Sequence, residues 1–264
     1  MELIWIAILL GIVEGLTEFV PVSSTGHLIV AGHLLGFTGD RAATFEIFIQ
    51  LGAILAVVAL EPGRFAALLR PAPAGGLAGV RGCLLLGVTS LPALLLGYLL
   101  HGPIKTHLFN PLTVAWALGL GGVAILLVER YRPAPRIASV DGIGPREALQ
   151  IGLFQCLSLF PGVSRAGATI VGGLLGGLDR RAAATYSFLA AVPVMTVATL
   201  YDLFKSAGSL DASDIVPFAA GFLVSFVAAW AAMRGFVALL GRWTLRPFAW
   251  YRIVVAPLVA FLVA

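Results

Sequence analysis

Two short stretches of the chain hold the residues whose types and spacing could do chemistry. In the first stretch, residues 14–27, two glutamates four positions apart precede a proline and a run of hydroxyl side chains. A helix would place Glu14 and Glu18 on one face, where their carboxylates repel each other unless a cation or a proton separates them. This pair predicts a site for a divalent cation. The alternative is a pair of protonated carboxyls that only pack helices together.

The residues after Pro21 add a nucleophile and a titratable group. Ser23, Ser24 and Thr25 lie where the proline interrupts the helix, so their hydroxyls and the freed backbone N–H groups line the break. Ser23 and Thr25 are predicted to bind phosphate there. His27 follows Ser24 by three positions and supplies an imidazole that titrates near neutral pH. A lone histidine in an apolar run is usually a packing residue, but two acids and two serines beside it favour a functional role.

The second stretch combines glycines, hydroxyl side chains and one arginine within ten residues. The glycines let the backbone turn tightly and present N–H donors, and the arginine adds a planar fork that suits phosphate. This combination predicts an anion-binding cradle. The alternative is a kinked helix whose arginine pairs with a glutamate of the first stretch. The residues are Gly162, Ser164, Arg165, Gly167 and Thr169.

The whole chain is too apolar for a soluble domain. Of its 264 residues, 59% are hydrophobic and 11% are charged, whereas soluble domains have about 25% charged residues. The net charge of +4 is typical of basic cytoplasmic loops in a membrane protein, and no nucleic-acid partner is expected. Six apolar runs are long enough to cross a bilayer, which takes about 20 helical residues. They lie near residues 42–60, 82–100, 111–128, 183–203, 216–236 and 248–264.

The two interrupted stretches resemble each other. A shift of 141 residues sets residues 11–36 on residues 152–177 without a gap, and 11 of the 26 positions are identical. Agreement of this kind at one fixed spacing indicates an internal duplication. Gln155 occupies the position of Glu14, so the acid pair belongs to the first half alone.

Counting the crossings predicts the architecture. If each interrupted stretch enters the bilayer and returns to its own side, each half crosses three times and the second half is inverted. The chain is then an all-α integral membrane protein with six full transmembrane helices and two re-entrant helix-loop-helix segments. Its single domain contains inverted repeats at about residues 1–128 and 148–264, joined by a cytoplasmic linker at residues 129–147. Broken helices at matching positions of such repeats predict a site where the two breaks meet near mid-membrane.

The basic residues agree with this topology. Four connections on one side hold 13 of the 17 Lys and Arg residues, and the positive-inside rule makes that side cytoplasmic. Residues 74 and 138 are then predicted inside and residue 208 outside. Arg165 is predicted to be the one basic residue within the membrane. The four connections are residues 61–81, 129–147, 180–182 and 234–252.

At both breaks the sequence closely resembles the undecaprenyl-pyrophosphate phosphatase family, also called UppP or BacA. The resemblance covers essentially the whole chain. It implies removal of the terminal phosphate from a C55 polyprenyl diphosphate carrier in the bacterial cytoplasmic membrane, which recycles the carrier for cell-wall synthesis. It also implies divalent-cation dependence, a site open to the extracytoplasmic side, and a link to bacitracin resistance. The motifs are Glu14-Gly-Leu-Thr-Glu18, Pro21-Val-Ser-Ser-Thr-Gly-His27, Phe48-Ile-Gln-Leu-Gly-Ala-Ile54 and Pro161-Gly-Val-Ser-Arg-Ala-Gly-Ala-Thr169.

The resemblance also implies which residues are functional. Five residues match functional positions of the family, and two hydroxyl residues support them. One departure is Ala166, which stands where the second motif commonly has serine, so a phosphate contact from that hydroxyl is absent here. The matching residues are Glu14, Glu18, Ser24, His27 and Arg165, supported by Ser164 and Thr169.

Together these residues predict metal-assisted phosphoryl transfer. Glu14 and Glu18 would hold Mg2+, or Ca2+ in its place, together with diphosphate oxygens. Arg165 and the N–H groups of the second break would stabilise charge on the transferring group. Ser24 is the preferred nucleophile, with His27 as its base or as the acid for the leaving group. Attack by a water molecule, with His27 as base, remains open.

The alternative function is a polyprenyl-phosphate transporter or flippase, because inverted repeats with broken helices are typical of secondary transporters. The full set of nucleophile, imidazole, acid pair and arginine favours the enzyme, since a carrier would not need them together. The expected partners are the polyprenyl diphosphate substrate and membrane lipids. The sequence leaves a homo-oligomer open.

Overall fold

The fold is helical throughout the part of the chain that the computed structural model describes, which is residues 2–70, 75–108, 110–206 and 211–263. Those residues contain eleven α-helices and no strand. Residues 74 and 208, whose side of the membrane was predicted above, lie outside the described residues. The helices are α1 Glu2–Thr17, α2 Ser24–Leu34, α3 Asp40–Leu60, α4 Pro62–Leu68, α5 Gly79–His107, α6 Pro111–Tyr131, α7 Pro145–Gln155, α8 Arg165–Leu175, α9 Arg180–Ser206, α10 Ile215–Leu240 and α11 Arg246–Val263.

Five helices, α3, α5, α6, α9 and α10, are long and apolar enough to cross a membrane. Large apolar side chains on their outer faces, such as Leu95, Leu120 and Val227, are more than half exposed. Such broad apolar surfaces are a liability in water and are normal against lipid. The prediction of a multi-pass membrane protein is therefore confirmed. The sixth predicted run, residues 248–264, forms most of α11, which is not among these five helices.

Each interrupted stretch forms two short helices joined by a turn. Helix α1 packs against α2, and α7 packs against α8. In each turn one serine has a positive φ, 72° at Ser23 and 66° at Ser164, and these are the only such non-glycine residues in the described ranges. The left-handed region strains an L-residue. The two aligned serines thus share an uncommon conformation, as expected of a duplicated backbone.

Matching helices of the two halves also have matching neighbours. Helix α1 packs along α10, and α7 packs along α5. Glycine is needed at both crossings, because a Cβ on Gly11 would lie 2.6 Å from the carbonyl oxygen of Gly221. A Cβ on Gly152, which aligns with Gly11, would lie 2.6 Å from the carbonyl oxygen of Thr89. Helices α6 and α11 pack against each other beside the two turns.

The predicted distribution of basic residues needs one correction. Arg252 was assigned to the connection at residues 234–252, but it lies inside α11 and its side chain is fully buried. The basic connections therefore hold 12 residues rather than 13, and Arg165 is not the only basic residue in the interior. The assignment was wrong because several arginines just before Arg252 made the segment look like one continuous basic loop.

Acidic residues fix the connections at the end of the molecule that the sequence predicts to be cytoplasmic. Glu129, near the end of α6, accepts a hydrogen bond of 2.8 Å from Arg180 at the start of α9. Asp141 accepts the N–H of Leu77 at 3.0 Å and the guanidinium of Arg64 at 2.7 Å. The Leu77 N–H and then the Arg64 guanidinium lower the pKa of Asp141 below its ordinary value.

Candidate active site

The two turns meet at Glu18. Arg165, the first residue of α8, donates from Nη2 to Glu18 Oε1 at 3.0 Å. Ser24, the first residue of α2, donates from Oγ to Glu18 Oε2. Each carboxylate oxygen of Glu18 therefore has a partner, one from each break. The structure thus brings together three of the predicted site residues.

Arg165 is held from several directions. Its Nη1 donates to the backbone oxygen of Ser187 at 3.1 Å and to the Ser187 hydroxyl at 3.3 Å. Its guanidinium carbon lies 5.0 Å from the centre of the Phe19 ring. Its Nε is buried and has no hydrogen-bond partner. The guanidinium is thus fixed in place with its Nε–H left to donate, which suits the binding of an anionic oxygen.

Glu14 is fully buried, and neither of its carboxylate oxygens has a hydrogen-bond partner. The charges that act on it are those of Glu18 and Glu46, which repel its charge, and of Arg165, which offsets it. A buried carboxylate without a partner is costly, so this group needs a proton or a cation. The sequence predicted this need for a cation or a proton at the acid pair.

A divalent cation fits these two carboxylates only as an incomplete site. Glu14 offers two free oxygens, whereas both oxygens of Glu18, one helical turn further on, already accept hydrogen bonds from Arg165 and Ser24. In the described ranges, no group of three or more His, Cys, Asp and Glu side chains could hold a metal ion. Mg2+ commonly uses one or two carboxylates and takes its remaining ligands from phosphate and water. The residues present fit that pattern.

His27 has partners other than the predicted one. Its Nδ1 lies 2.7 Å from the Ser23 carbonyl oxygen, and its Nε2 lies 2.6 Å from the Tyr251 hydroxyl. The two rings are stacked, with centroids 5.6 Å apart and 3° between the planes. A carbonyl oxygen only accepts, so the neutral imidazole carries its proton on Nδ1 and accepts at Nε2.

The predicted Ser24–His27 pair is not among the contacts of the described residues. Ser24 donates to Glu18 instead. The Ser23 carbonyl, four residues before His27, accepts a hydrogen bond from the imidazole within the first turn of α2. The nucleophile and the imidazole thus face different partners in this structure.

The supporting hydroxyls of the second break hold α8 in shape. Ser164 accepts the N–H of Gly167 at 3.1 Å and so caps the helix. The Thr169 hydroxyl donates to the Arg165 carbonyl at 2.9 Å and lies 2.6 Å from the Ser187 hydroxyl. Their contact with phosphate stays a prediction, as does that of the backbone at Gly162. Ala166, which replaces the family serine, is fully buried.

Arg252 was missed by the sequence reasoning and joins the two breaks. It is 0% exposed. A guanidinium has five N–H donors, and all five are donated to backbone carbonyl oxygens at 3.1–3.2 Å. The first break contributes one acceptor, the second break two and α6 two. The acceptors are the carbonyls of Pro21, Gly162, Val163, Ala117 and Leu118.

Sequence signals for the missed residues differ. Arg252 lies six positions inside an apolar helix, and a basic residue there indicates a functional or structural role in a membrane protein. That signal was hidden by the arginines before it. Tyr251 and Ser187 gave no signal, because a tyrosine near a helix start and a serine in an apolar helix are both common. Only the fold brings them to the site.

Comparison with known proteins gives a match along almost the entire chain. The family described as bacitracin resistance protein BacA matches residues 7–258. A protein of Maridesulfovibrio salexigens named undecaprenyl-diphosphatase is 58% identical over 261 residues, which cover 99% of each chain. A protein of the same name from Nitratidesulfovibrio vulgaris is 59% identical and covers 98% of this chain and 97% of its own. Another from Solidesulfovibrio magneticus is 54% identical, with coverages of 97% and 96%.

Proposed function

Because the chain belongs to the BacA family, we propose that it is an undecaprenyl-diphosphatase. It removes the terminal phosphate of undecaprenyl diphosphate and releases undecaprenyl phosphate and inorganic phosphate. The monophosphate is the recycled lipid carrier for cell-wall synthesis, which links the activity to bacitracin resistance. The transporter alternative is not favoured, because the relatives are named as phosphatases across nearly the full length of this chain.

The observation that carries the site assignment is a set of unsatisfied polar atoms where the two breaks meet. Arg165 Nε lacks an acceptor, and both oxygens of Glu14 lack donors, although all three atoms are buried. An unpaired buried polar group costs about 1–3 kcal/mol. Such atoms are tolerated where a ligand supplies the partners. A diphosphate would supply the acceptor for Arg165, and an accompanying cation would neutralise Glu14.

Ser24 attacks the terminal phosphorus, with Glu18 as its base. The Ser24 hydroxyl already donates to Glu18 Oε2, so the proton moves to the carboxylate as the serine oxygen bonds to phosphorus. The anhydride bond breaks in the same step, and undecaprenyl phosphate leaves. Water then hydrolyses the phosphoserine and releases inorganic phosphate. Direct attack by water, with His27 as base, is the alternative and gives the same products.

Arg165 stabilises the charge of the transferring phosphoryl group, where positioning and electrostatics supply most of the catalysis. Contacts with Glu18, Ser187 and Phe19 fix its guanidinium beforehand. Glu14 and Glu18 would hold a divalent cation, Mg2+ or Ca2+, which would neutralise charge on the diphosphate oxygens. His27 exchanges a proton with the leaving group or with the hydrolytic water.

The proposal includes six spans, two re-entrant stretches and inverted repeats in the cytoplasmic membrane, with the site open to the extracytoplasmic side. Five apolar helices support five of these spans, and the proposal assigns the sixth to α11. The matching serine conformations and the matching neighbours of α1 and α7 support the repeat. The prenyl chain of the substrate lies in lipid, which explains a site formed by membrane-embedded turns.

The test is phosphate release from C55 diphosphate by the purified protein in detergent, with and without EDTA. We expect release with wild type, loss with EDTA, and recovery when Mg2+ or Ca2+ is added. Arg165→Lys should be at least about 100-fold slower, since it loses the planar fork. Folded wild type that releases no phosphate would contradict the phosphatase assignment. Turnover that is insensitive to EDTA would contradict the role of the cation but not the phosphatase assignment.

A further inference from the structure

We propose that Arg252 is a positioning residue for phosphoryl transfer, whose guanidinium fixes the first break against the second. The inference rests on the proposed function for its catalytic consequence. The geometry does not depend on that function. The Arg252 side chain bonds to the Pro21 carbonyl in one break and to the Gly162 and Val163 carbonyls in the other.

The bonded carbonyls lie close in sequence to the groups that would react. Pro21 precedes Ser24 by three residues, and Val163 precedes Arg165 by two. The turn between them is short, so a shift of either carbonyl moves the reacting group with it. Misplacing reacting groups by about 1 Å can cost about 100-fold in rate. Arg252 therefore sets the separation of Ser24 and Arg165 without touching either one.

Arginine is the side chain that can do this. Its five N–H donors lie in one plane and reach five acceptors, whereas lysine offers three donors from a single point. Two nearby glycines leave room for the guanidinium of Arg252. A Cβ on Gly121 would lie 2.1 Å from Nη2, and one on Gly167 would lie 3.4 Å from Nη1.

The charge of Arg252 also lies between the two breaks. None of the ion pairs formed within the described ranges includes it. Carbonyl dipoles solvate the guanidinium without cancelling its charge. A diphosphate that enters between the breaks meets this positive potential in addition to Arg165.

The experiment compares Arg252→Lys with Arg180→Lys in the full-length protein. Arg180→Lys is the control, because it also breaks guanidinium bonds to a buried acceptor, here Glu129 at the predicted cytoplasmic end. We expect Arg252→Lys to lower kcat about 100-fold while KM changes less than threefold. Hydrogen exchange should rise together in peptides 18–25 and 160–167. Arg180→Lys should keep kcat within threefold of wild type and leave both peptides unchanged.

Two outcomes would overturn the proposal. One is a fall in kcat no larger than that of Arg180→Lys, and the other is faster exchange confined to α6 and α11. If Arg252→Lys does not fold, Gly121→Ala is the second variant, because its added methyl group would crowd Nη2 of the retained arginine. The same measurements of kcat and hydrogen exchange then apply, with smaller changes expected. If wild type releases no phosphate, the proposed function fails, while the exchange measurement still tests whether Arg252 joins the two breaks.

Discussion

Single residues of the same type have different environments in this site. Both carboxylate oxygens of Glu18 are bonded, one to Arg165 and one to Ser24, whereas Glu14 has no partner at all. The sequence predicts two carboxylates on one face of a helix. It does not predict which one the second break reaches, because that depends on how the turn after α1 is folded.

Glu14→Gln should lower kcat about 100-fold and weaken the apparent affinity for the activating cation. The variant keeps the shape of the side chain and removes its charge, so the protein should melt no lower than wild type. Phosphate release across a Mg2+ titration, with a melting curve in detergent, measures both effects. Glu61→Gln is the control, since Glu61 lies at the end of α3, away from the breaks. Full activity with unchanged cation dependence would favour a packing role for Glu14.

Ser24→Ala should abolish turnover, because it removes the hydroxyl that donates to Glu18. Ser23→Ala is the comparison, because Ser23 is the neighbouring hydroxyl and its side chain forms no capping hydrogen bond. This variant should still form phosphoserine at position 24. Acid quenching of wild type during a single turnover should trap phosphoserine at position 24. A Ser24→Ala variant within tenfold of wild type, together with no trapped phosphoserine, would favour attack by water.

Tyr251→Phe should lower kcat about tenfold, the lower end of the 10–100-fold cost of losing a partner that orients a metal-bound imidazole. The stacked ring remains, and the hydrogen bond to His27 Nε2 is lost. The pH profile of kcat should also move, because the imidazole loses the donor that favours its neutral form. Tyr131→Phe, at an exposed ring, is the control. An unchanged pH profile in Tyr251→Phe would show that Tyr251 does not affect the proton transfers of His27.

At the scale of secondary-structure elements, the interrupted helices could be predicted, but their strain could not. Proline, glycine and polar residues in the middle of apolar runs identify both breaks in the sequence. The positive φ of Ser23 and Ser164 has no sequence signal, since serine is not typical of that region. These conformations persist because the surrounding contacts, including those of Arg252, hold the turns in place.

Ser23→Gly should raise the free energy of unfolding by up to about 1.6 kcal/mol. Relief of the left-handed conformation contributes about 1–2 kcal/mol, and the greater freedom of glycine in the unfolded chain offsets about 0.4–1 kcal/mol. Ser164→Gly should be close to neutral, because it also loses the bond from the Gly167 N–H. Unfolding midpoints in detergent measure both variants. A destabilised Ser23→Gly would show that the serine side chain itself supports the turn.

For the whole molecule, the sequence predicts the helical class and five of the spans, because apolar length alone decides them. It assigns Arg252 wrongly, because burial inside a packed interior is not visible in a run of arginines. The contacts of Tyr251 and Ser187 are also beyond the sequence, since they join residues more than 20 positions apart. What spacing cannot predict here is which distant helix meets each break.

The inverted topology predicts the side of the membrane on which three exposed residues lie. Three spans separate Thr38 from Ala138, so they should lie on opposite faces. If α7 and α8 return to their own side, only α9 separates Ala138 from Ser213, and Ser213 should lie on the same face as Thr38. Single cysteines at these positions, in a chain without Cys83 and Cys156, can be labelled with an impermeant maleimide in right-side-out and inverted vesicles.

We expect Thr38→Cys and Ser213→Cys to react in right-side-out vesicles and Ala138→Cys to react in inverted ones. The arginine-rich connections place Ala138 inside, because basic loops are retained in the cytoplasm. If the second stretch crossed the bilayer completely, Ser213 would lie on the same side as Ala138. Labelling of both in inverted vesicles would therefore contradict the inverted repeat. The contacts among Glu18, Ser24 and Arg165 would then need a topology in which a full span, rather than a re-entrant turn, carries the arginine to the site.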